Sequence, residues 1–174
     1  MKKTKKITFC GLIAALAVVF MLLSYIPYLT YTAPAIAGVF MMIIALELSP
    51  KWAYASYAVS SLLIFLLAEN EAKLLYILFF GLYPIAKGNI EGLRRPVLEY
   101  IFKFLLFNAA MLLELLASVY LLGIPLESGG FAGIYFYVIF AVVANIFFVV
   151  YDIALTRLIM LYMYRLHNRI KKLL

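Results

Sequence analysis

Glu114 is the ionisable residue set deepest in apolar sequence. It lies within the run 97–122, with Ala110 and Ser118 one turn below and above it on the same helical face. A carboxylate at that depth is a functional candidate by default. It can accept hydrogen bonds from a cationic or amine-bearing solute, or stay protonated and pair with Ser or Asn. Tyr25, Tyr28, Tyr31, Thr32, Asn70, Tyr76, Tyr120 and Tyr135 fall towards the same end of the chain's apolar segments. Interfacial aromatic belts account for many of them, but a few could grip a planar ring by stacking while Asn70 or Glu114 fixes its polar edge. Asn108 lies near mid-segment, and Asn145 shares a stripe with Asp152 and Thr156. Each is a ligand contact or interhelical glue. The candidate solute-binding residues are therefore Glu114, Asn70, Tyr31, Thr32, Tyr76, Ser118, Asn108 and Asn145.

Other chemistries lack their parts. There is one His and one Cys, and no HExxH pair, GxSxG elbow or phosphate-binding glycine loop. The remaining carboxylates are scattered rather than paired on one helix, so no enzyme, metal site or cofactor is expected. Lys87 and Glu91 stand one turn apart and read as an interfacial pair, and Asp152 reads as the partner of Lys87, Arg94 or Lys103. His167 reads as a solvated residue of a basic tail. Cys10 reads as a buried, inert thiol.

The elements that must position these residues belong in a bilayer. Of 174 residues, 68% are hydrophobic and 13% charged, against roughly 45–50% and about 25% in soluble domains. Six apolar segments follow, at about 7–27, 33–49, 51–68, 72–92, 97–122 and 131–165, which form one all-α membrane domain over 1–174. Pro34 suits the first turn of segment two, with Thr32 as its cap. Pro84 should kink segment four by removing the bond to the Phe80 carbonyl. Ala53, Ser56, Tyr57 and Ser60 form a small polar stripe on segment three. Segment six would extend roughly 50 Å, longer than about 30 Å of hydrocarbon requires.

Charge orients the bundle. The lysines before segment one, Lys51, the group Lys87, Arg94, Arg95 and Lys103, and the basic carboxyl end all belong to one side, while the alternate breaks carry Lys73 against Glu69, Glu71 and Glu127. The positive-inside rule puts both termini in the cytoplasm of a multi-pass cell-membrane protein. The net charge of +7 then implies anionic lipid headgroups as partner rather than nucleic acid. A cleaved signal peptide fits poorly, because the first apolar run is too long and Ala33-Pro34-Ala35 lies well beyond it.

Segment one holds the last motif. On a helix Gly11, Ala14, Ala15 and Val18 share a narrow face of small residues, which lets another helix approach closely within lipid. A six-helix chain of this length with Gly11-Leu12-Ile13-Ala14-Ala15-Leu16-Ala17 opening its first helix resembles the substrate-binding S component of an energy-coupling-factor (ECF) vitamin transporter. In that family a small-xxx-small motif in helix one docks on the transmembrane coupling subunit; Gly11 and Ala15 occupy its two positions, with Gly where Ala is more usual. The resemblance implies high-affinity binding of a vitamin-like solute and a shared coupling subunit with two ATPase subunits as motor. It also implies a gating loop at 28–33, and a pocket wall from helices four to six with the 69–73 loop. No substrate-specific signature is present. Two other readings stand beside it: a structural membrane scaffold of the cell-shape type, and a small proton-coupled transporter with Glu114 as carrier.

Overall fold

The computed structural model describes residues 3–122, 130–167 and 170. Among them the secondary structure is helical. The elements are α1 (Lys3–Leu22), a 3₁₀ turn (Leu23–Tyr25), α2 (Thr32–Glu47), α3 (Pro50–Leu67), α4 (Asn70–Leu75), a π turn (Tyr76–Phe80), α5 (Tyr83–Glu91), α6 (Pro96–Leu122) and α7 (Gly130–Arg165). The break after segment five, Gly123 to Gly129 with Glu127, lies outside the described residues, as do Asn168, Arg169, Lys171 and Lys172 of the basic tail.

Three stretches are long and apolar enough to cross a membrane: Lys3–Tyr25, Pro96–Tyr120 and Val138–Arg165. α2 is apolar but shorter, about 24 Å at 1.5 Å per residue. The chain is therefore a helical protein compatible with a membrane location.

Side-chain contacts sort the helix ends into two sets. At one end Tyr25 Oη donates to the Leu67 carbonyl at 3.1 Å and Tyr31 Oη to Glu71 Oε2 at 3.5 Å. At the other, Asn89 Nδ2 donates to Tyr54 Oη at 3.1 Å, and α5, α6 and α7 join through Lys87, Glu91, Lys103 and Asp152. The first is the acidic end, with Glu69 and Glu71; the second is the basic end.

Two cores meet along α2 and segment four. The first packs Cys10, Ala17 and Met21 of α1 against Ala37, Met41 and Ile44 of α2, Ala53 and Ile64 of α3, and Ala72 and Tyr76. Cys10 is buried, as expected. The second core is aromatic. Phe79 stacks on Tyr83 at 4.9 Å and meets Phe107 edge-on at 5.2 Å, while Phe107 stacks on Phe148 at 4.6 Å. Edge-to-face and offset pairs suit ring quadrupoles, and they hold segment four to α6 and α7.

Segment four breaks as Pro84 dictates, and more elaborately than a kink. Gly81 N–H reaches back five residues to the Tyr76 carbonyl at 2.8 Å, so the Ile77 carbonyl loses its α-helical donor. Tyr57 Oη, from the polar stripe of α3, donates to it. The Phe80 carbonyl, freed by Pro84, points at Gly38 of α2, where any Cβ would collide with it. The Ile77 carbonyl thus regains a donor from a neighbouring helix, as buried backbone requires, while the Phe80 carbonyl is packed closely against the backbone of Gly38. A second close approach occurs at Gly81, where a Cβ would lie 2.8 Å from the Tyr76 ring and 2.9 Å from Tyr57.

Thr32 does not cap α2. Tyr31 occupies the cap position without a side-chain bond, and Thr32 Oγ1 donates to the Leu29 carbonyl at 3.4 Å. The expectation fails because the chain enters α2 already in helical conformation at Tyr31 (φ −92°, ψ −28°). A capping side chain needs an extended backbone to reach back to the first N–H groups. Tyr28, three residues earlier, is left-handed (φ 72°) and fully presented to the surroundings, an uncommon state for a residue with a bulky side chain.

Candidate functional site

The candidate site at the acidic end is built by the loop before α2, the start of α4 and the far half of α6. Glu69 caps α4, its Oε2 accepting from Ala72 N at 3.4 Å, and so the break at 69–71 becomes a helix start rather than an open loop. Tyr31 Oη rests on Glu71, and Glu114 and Glu69 also lie within electrostatic reach of Tyr31. Partial burial, followed by the Glu71 carboxylate, pushes the Tyr31 phenol above its ordinary range, so it stays a donor at physiological pH. Glu114 is half-buried and faces the charge of Glu71. The nearby Lys73 ammonium sits 5.0 Å above the Phe65 ring. Three carboxylates around one phenol can attract a cation or an amine and accept its protons. Among the described residues no group of three His, Cys, Asp or Glu is placed to hold a metal.

The structure redistributes the eight expected solute contacts. Tyr31, Thr32 and Asn70 remain exposed near Glu71, and Ser118 is half-buried one turn from Glu114. Tyr76 is removed to the core: its ring is fully buried and its hydroxyl lies 2.8 Å from Ser60 Oγ. The π turn directs it onto the polar stripe of α3. Asn108 and Asn145 bind one another, each amide donating to the other's oxygen at 3.0 and 3.1 Å. Each amide also donates to the carbonyl four residues back, Phe104 and Ala141, at 2.8 Å. Both donors of each amide are thereby used, one across to the other helix and one within its own.

The small-residue face of α1 is divided in the same way. Ala14 (6% exposed) and Val18 (9%) pack into the bundle, whereas Gly11 and Ala15 face outward, and a Cβ on Gly11 would meet nothing within 4 Å. Ala14 and Val18 are therefore corrected from docking surface to core. They sit on the flank of the stripe nearest Cys10, Ala17 and Met21, which α2 and α3 cover.

At the basic end the sequence named the partners but not their closure. Asp152 accepts from Lys87 and from Tyr83 Oη (2.6 Å) through Oδ1 and from Lys103 (3.1 Å) through Oδ2. Glu91 Oε1 accepts from Lys87 at 2.8 Å and Lys103 at 2.7 Å. Lys87 is completely buried. Arg94 has no part in this network. A second buried contact was missed: Glu47, at the end of α2 with a side chain 2% exposed, accepts from Tyr162 Oη at 2.7 Å and lies 3.0 Å from His167 Nδ1. His167 is thus corrected from a solvated residue to one tied down beside a carboxylate. The length of α7 alone hinted at this, since its excess turns must lie against something.

Crevices open at the basic end of the described residues. One, of about 420 Å³, lies between Tyr54, Asn89 and α6 residues from Phe102 to Ala109. Another, of about 470 Å³, lies in front of the ion network. Neither is lined by Glu114, Glu71 or Tyr31. Compared with family models, curated proteins and solved structures, the chain has no match in any of the three.

Proposed function

We propose that the chain is a six-span membrane subunit with its basic end in the cytoplasm, which binds a small vitamin-like solute at its acidic outer end. It docks through α1 on a separate coupling subunit driven by two ATPase subunits. The observation that carries this reading is the division of α1. Its buried face is filled by large and small residues alike, yet Gly11 and Ala15 leave a notch uncovered. In lipid, helix association gains from close backbone approach rather than from water exclusion, so a notch facing outward suits a partner helix. The acidic end supports the solute half of the reading: Glu114 lies half-buried within electrostatic reach of Glu71 and of Tyr31 in the Tyr28–Tyr31 loop, and that loop already holds a left-handed tyrosine. Strained backbone of this kind collects at ligand clamps.

The test is the double variant Gly11→Leu, Ala15→Leu. It should leave solute binding and thermal stability unchanged while abolishing co-purification with a coupling subunit and solute uptake. Unchanged co-purification sinks the docking claim. Thermal-shift screening of the purified chain against vitamins and their amine-bearing precursors tests the solute claim independently. A ligand at a hundred times its Kd stabilises by about 2.7 kcal/mol through mass action.

One observation favours the scaffold reading instead. The most apolar windows of α6 and α7 are each only 11% buried, leaving long helix faces free for protein partners. A protein that binds no solute in the screen yet co-purifies with other membrane proteins through α6 or α7 would select that alternative. Proton-dependent uptake by the chain alone would select the small transporter with Glu114 as carrier.

A further inference from the structure

The crevice in front of the ion network has a lining that the network does not explain. Its walls are Glu91, Glu99, Tyr100, Lys103 and Pro96 from the α5–α6 corner and Asp152, Ile153, Thr156, Arg157 and Met160 from α7. Of these, Lys103, together with Lys87 buried behind the wall, is balanced by Glu91 and Asp152, and Thr156 Oγ1 is turned back to the Asp152 carbonyl at 2.9 Å. Two charges are left over, Glu99 on α6 and Arg157 on α7. They line the same opening from different helices, and among the described residues neither side chain makes an ion pair or hydrogen bond.

A half-buried acid and an exposed base facing one cleft without closing on each other form a receptor for a molecule that carries both signs. The position specifies which kind. The crevice lies at the basic end, where Arg94 and Arg95 precede Pro96 and where, in the proposed orientation, the bundle meets the headgroup layer. Pro96, Ile153 and Met160 supply an apolar margin beside the charges. A volume of about 470 Å³ falls within the roughly 300–1,000 Å³ of small-molecule sites. We propose that this crevice seats the zwitterionic headgroup of an aminophospholipid, Glu99 accepting from its primary ammonium and Arg157 donating to its phosphate. The ion network behind it favours a neutral headgroup over an anionic one, because the charges of Lys87 and Lys103 are already balanced by Glu91 and Asp152 and leave no net positive charge for a second anion. The inference is independent of the solute and docking assignments.

The experiment uses the full chain purified in detergent. Phosphatidylethanolamine, phosphatidylcholine or phosphatidylglycerol is added at equal mole fraction, and retained lipid is counted by native mass spectrometry. The ethanolamine lipid should be retained about tenfold over the choline lipid, the difference made by one charge-assisted hydrogen bond that a trimethylated ammonium cannot donate. Glu99→Gln should erase that preference. Arg157→Gln should lower retention of all three lipids, and Arg157→Lys should restore part of it. Neither residue has a partner to lose, so melting without lipid should not move in any variant. Equal retention of the three lipids by the unsubstituted chain would overturn the proposal, as would selective retention of the glycerol lipid. Full competition by water-soluble phosphoethanolamine would overturn the lipid as the source of the headgroup.

Discussion

Lys87 carries a positive charge with no exposed surface, and the network around it determines what its replacement costs. Removing one member of a buried pair strands the other, at about 3–5 kcal/mol, whereas replacing both with apolar groups is far milder. Lys87→Met leaves Asp152 and Glu91 sharing Lys103 in an unbalanced network, and should destabilise the purified protein by up to about 3–5 kcal/mol in denaturant-dependent unfolding. The double variant Lys87→Met, Asp152→Leu should cost clearly less than the sum of the two single changes. Additive costs would mean that Lys87 and Asp152 do not act as a unit. The Asn108–Asn145 pair belongs to the same scale but carries less: interhelical hydrogen bonds in membranes contribute about 0.6 kcal/mol on average. Asn145→Leu, which removes both bonds of the pair, should lower stability by about 1 kcal/mol and leave solute binding untouched; a loss of binding with unchanged stability would return Asn145 to the site.

At the scale of elements the decisive feature is the break in segment four. α2 can lie against the π turn only because Gly38 offers no side chain to the Phe80 carbonyl. Overpacking a fitted core costs about 1–3 kcal/mol even when side chains can move, and here the obstacle is backbone. Gly38→Ala should reach or exceed the top of that range in thermal unfolding. Gly11→Ala, on open surface, should be neutral or slightly stabilising, since alanine favours helix over glycine by about 1 kcal/mol. Equal effects at the two glycines would contradict the packing described. The extended end of α7 is the other element-scale feature: Tyr162 and His167 bring its last turns back to Glu47, so α7 spends its excess length on closing the basic end.

For the whole molecule the helix ends fall into an acidic and a basic set, and the proposed orientation follows from the second facing the cytoplasm. Single cysteines placed in a Cys10→Ser background test it. A cysteine at Tyr28, on the exposed loop of the acidic end, should react with a membrane-impermeant maleimide on intact cells, and one at Arg94 only after permeabilisation. The reverse pattern would invert the bundle and move the candidate solute site to the cytoplasm.

Much of this was legible in the residues themselves. All six apolar segments correspond to helical stretches, since a helix bonds its backbone within one segment and so suits continuous apolar runs separated by Pro, Gly and charged breaks. The break at Pro84 follows from local chemistry of the same kind, and the burial of Cys10 and the pairing of Asp152 with Lys87 and Lys103 were legible from polarity and the sign of charge. What the sequence could not settle is which side of each stripe faces the chain's own neighbours. Periodicity puts Gly11, Ala14, Ala15 and Val18 on one face, but only the packing of α2 and α3 assigns Ala14 and Val18 to the core and leaves Gly11 and Ala15 outside. Likewise, Asn108 and Asn145 became each other's partners, Tyr76 was turned onto Ser60, and Glu47 met Tyr162 and His167 across more than a hundred residues of chain. Helix period and charge are properties of neighbouring residues and are written in their order, whereas the rotation and approach of one helix against another depend on side chains distant in sequence.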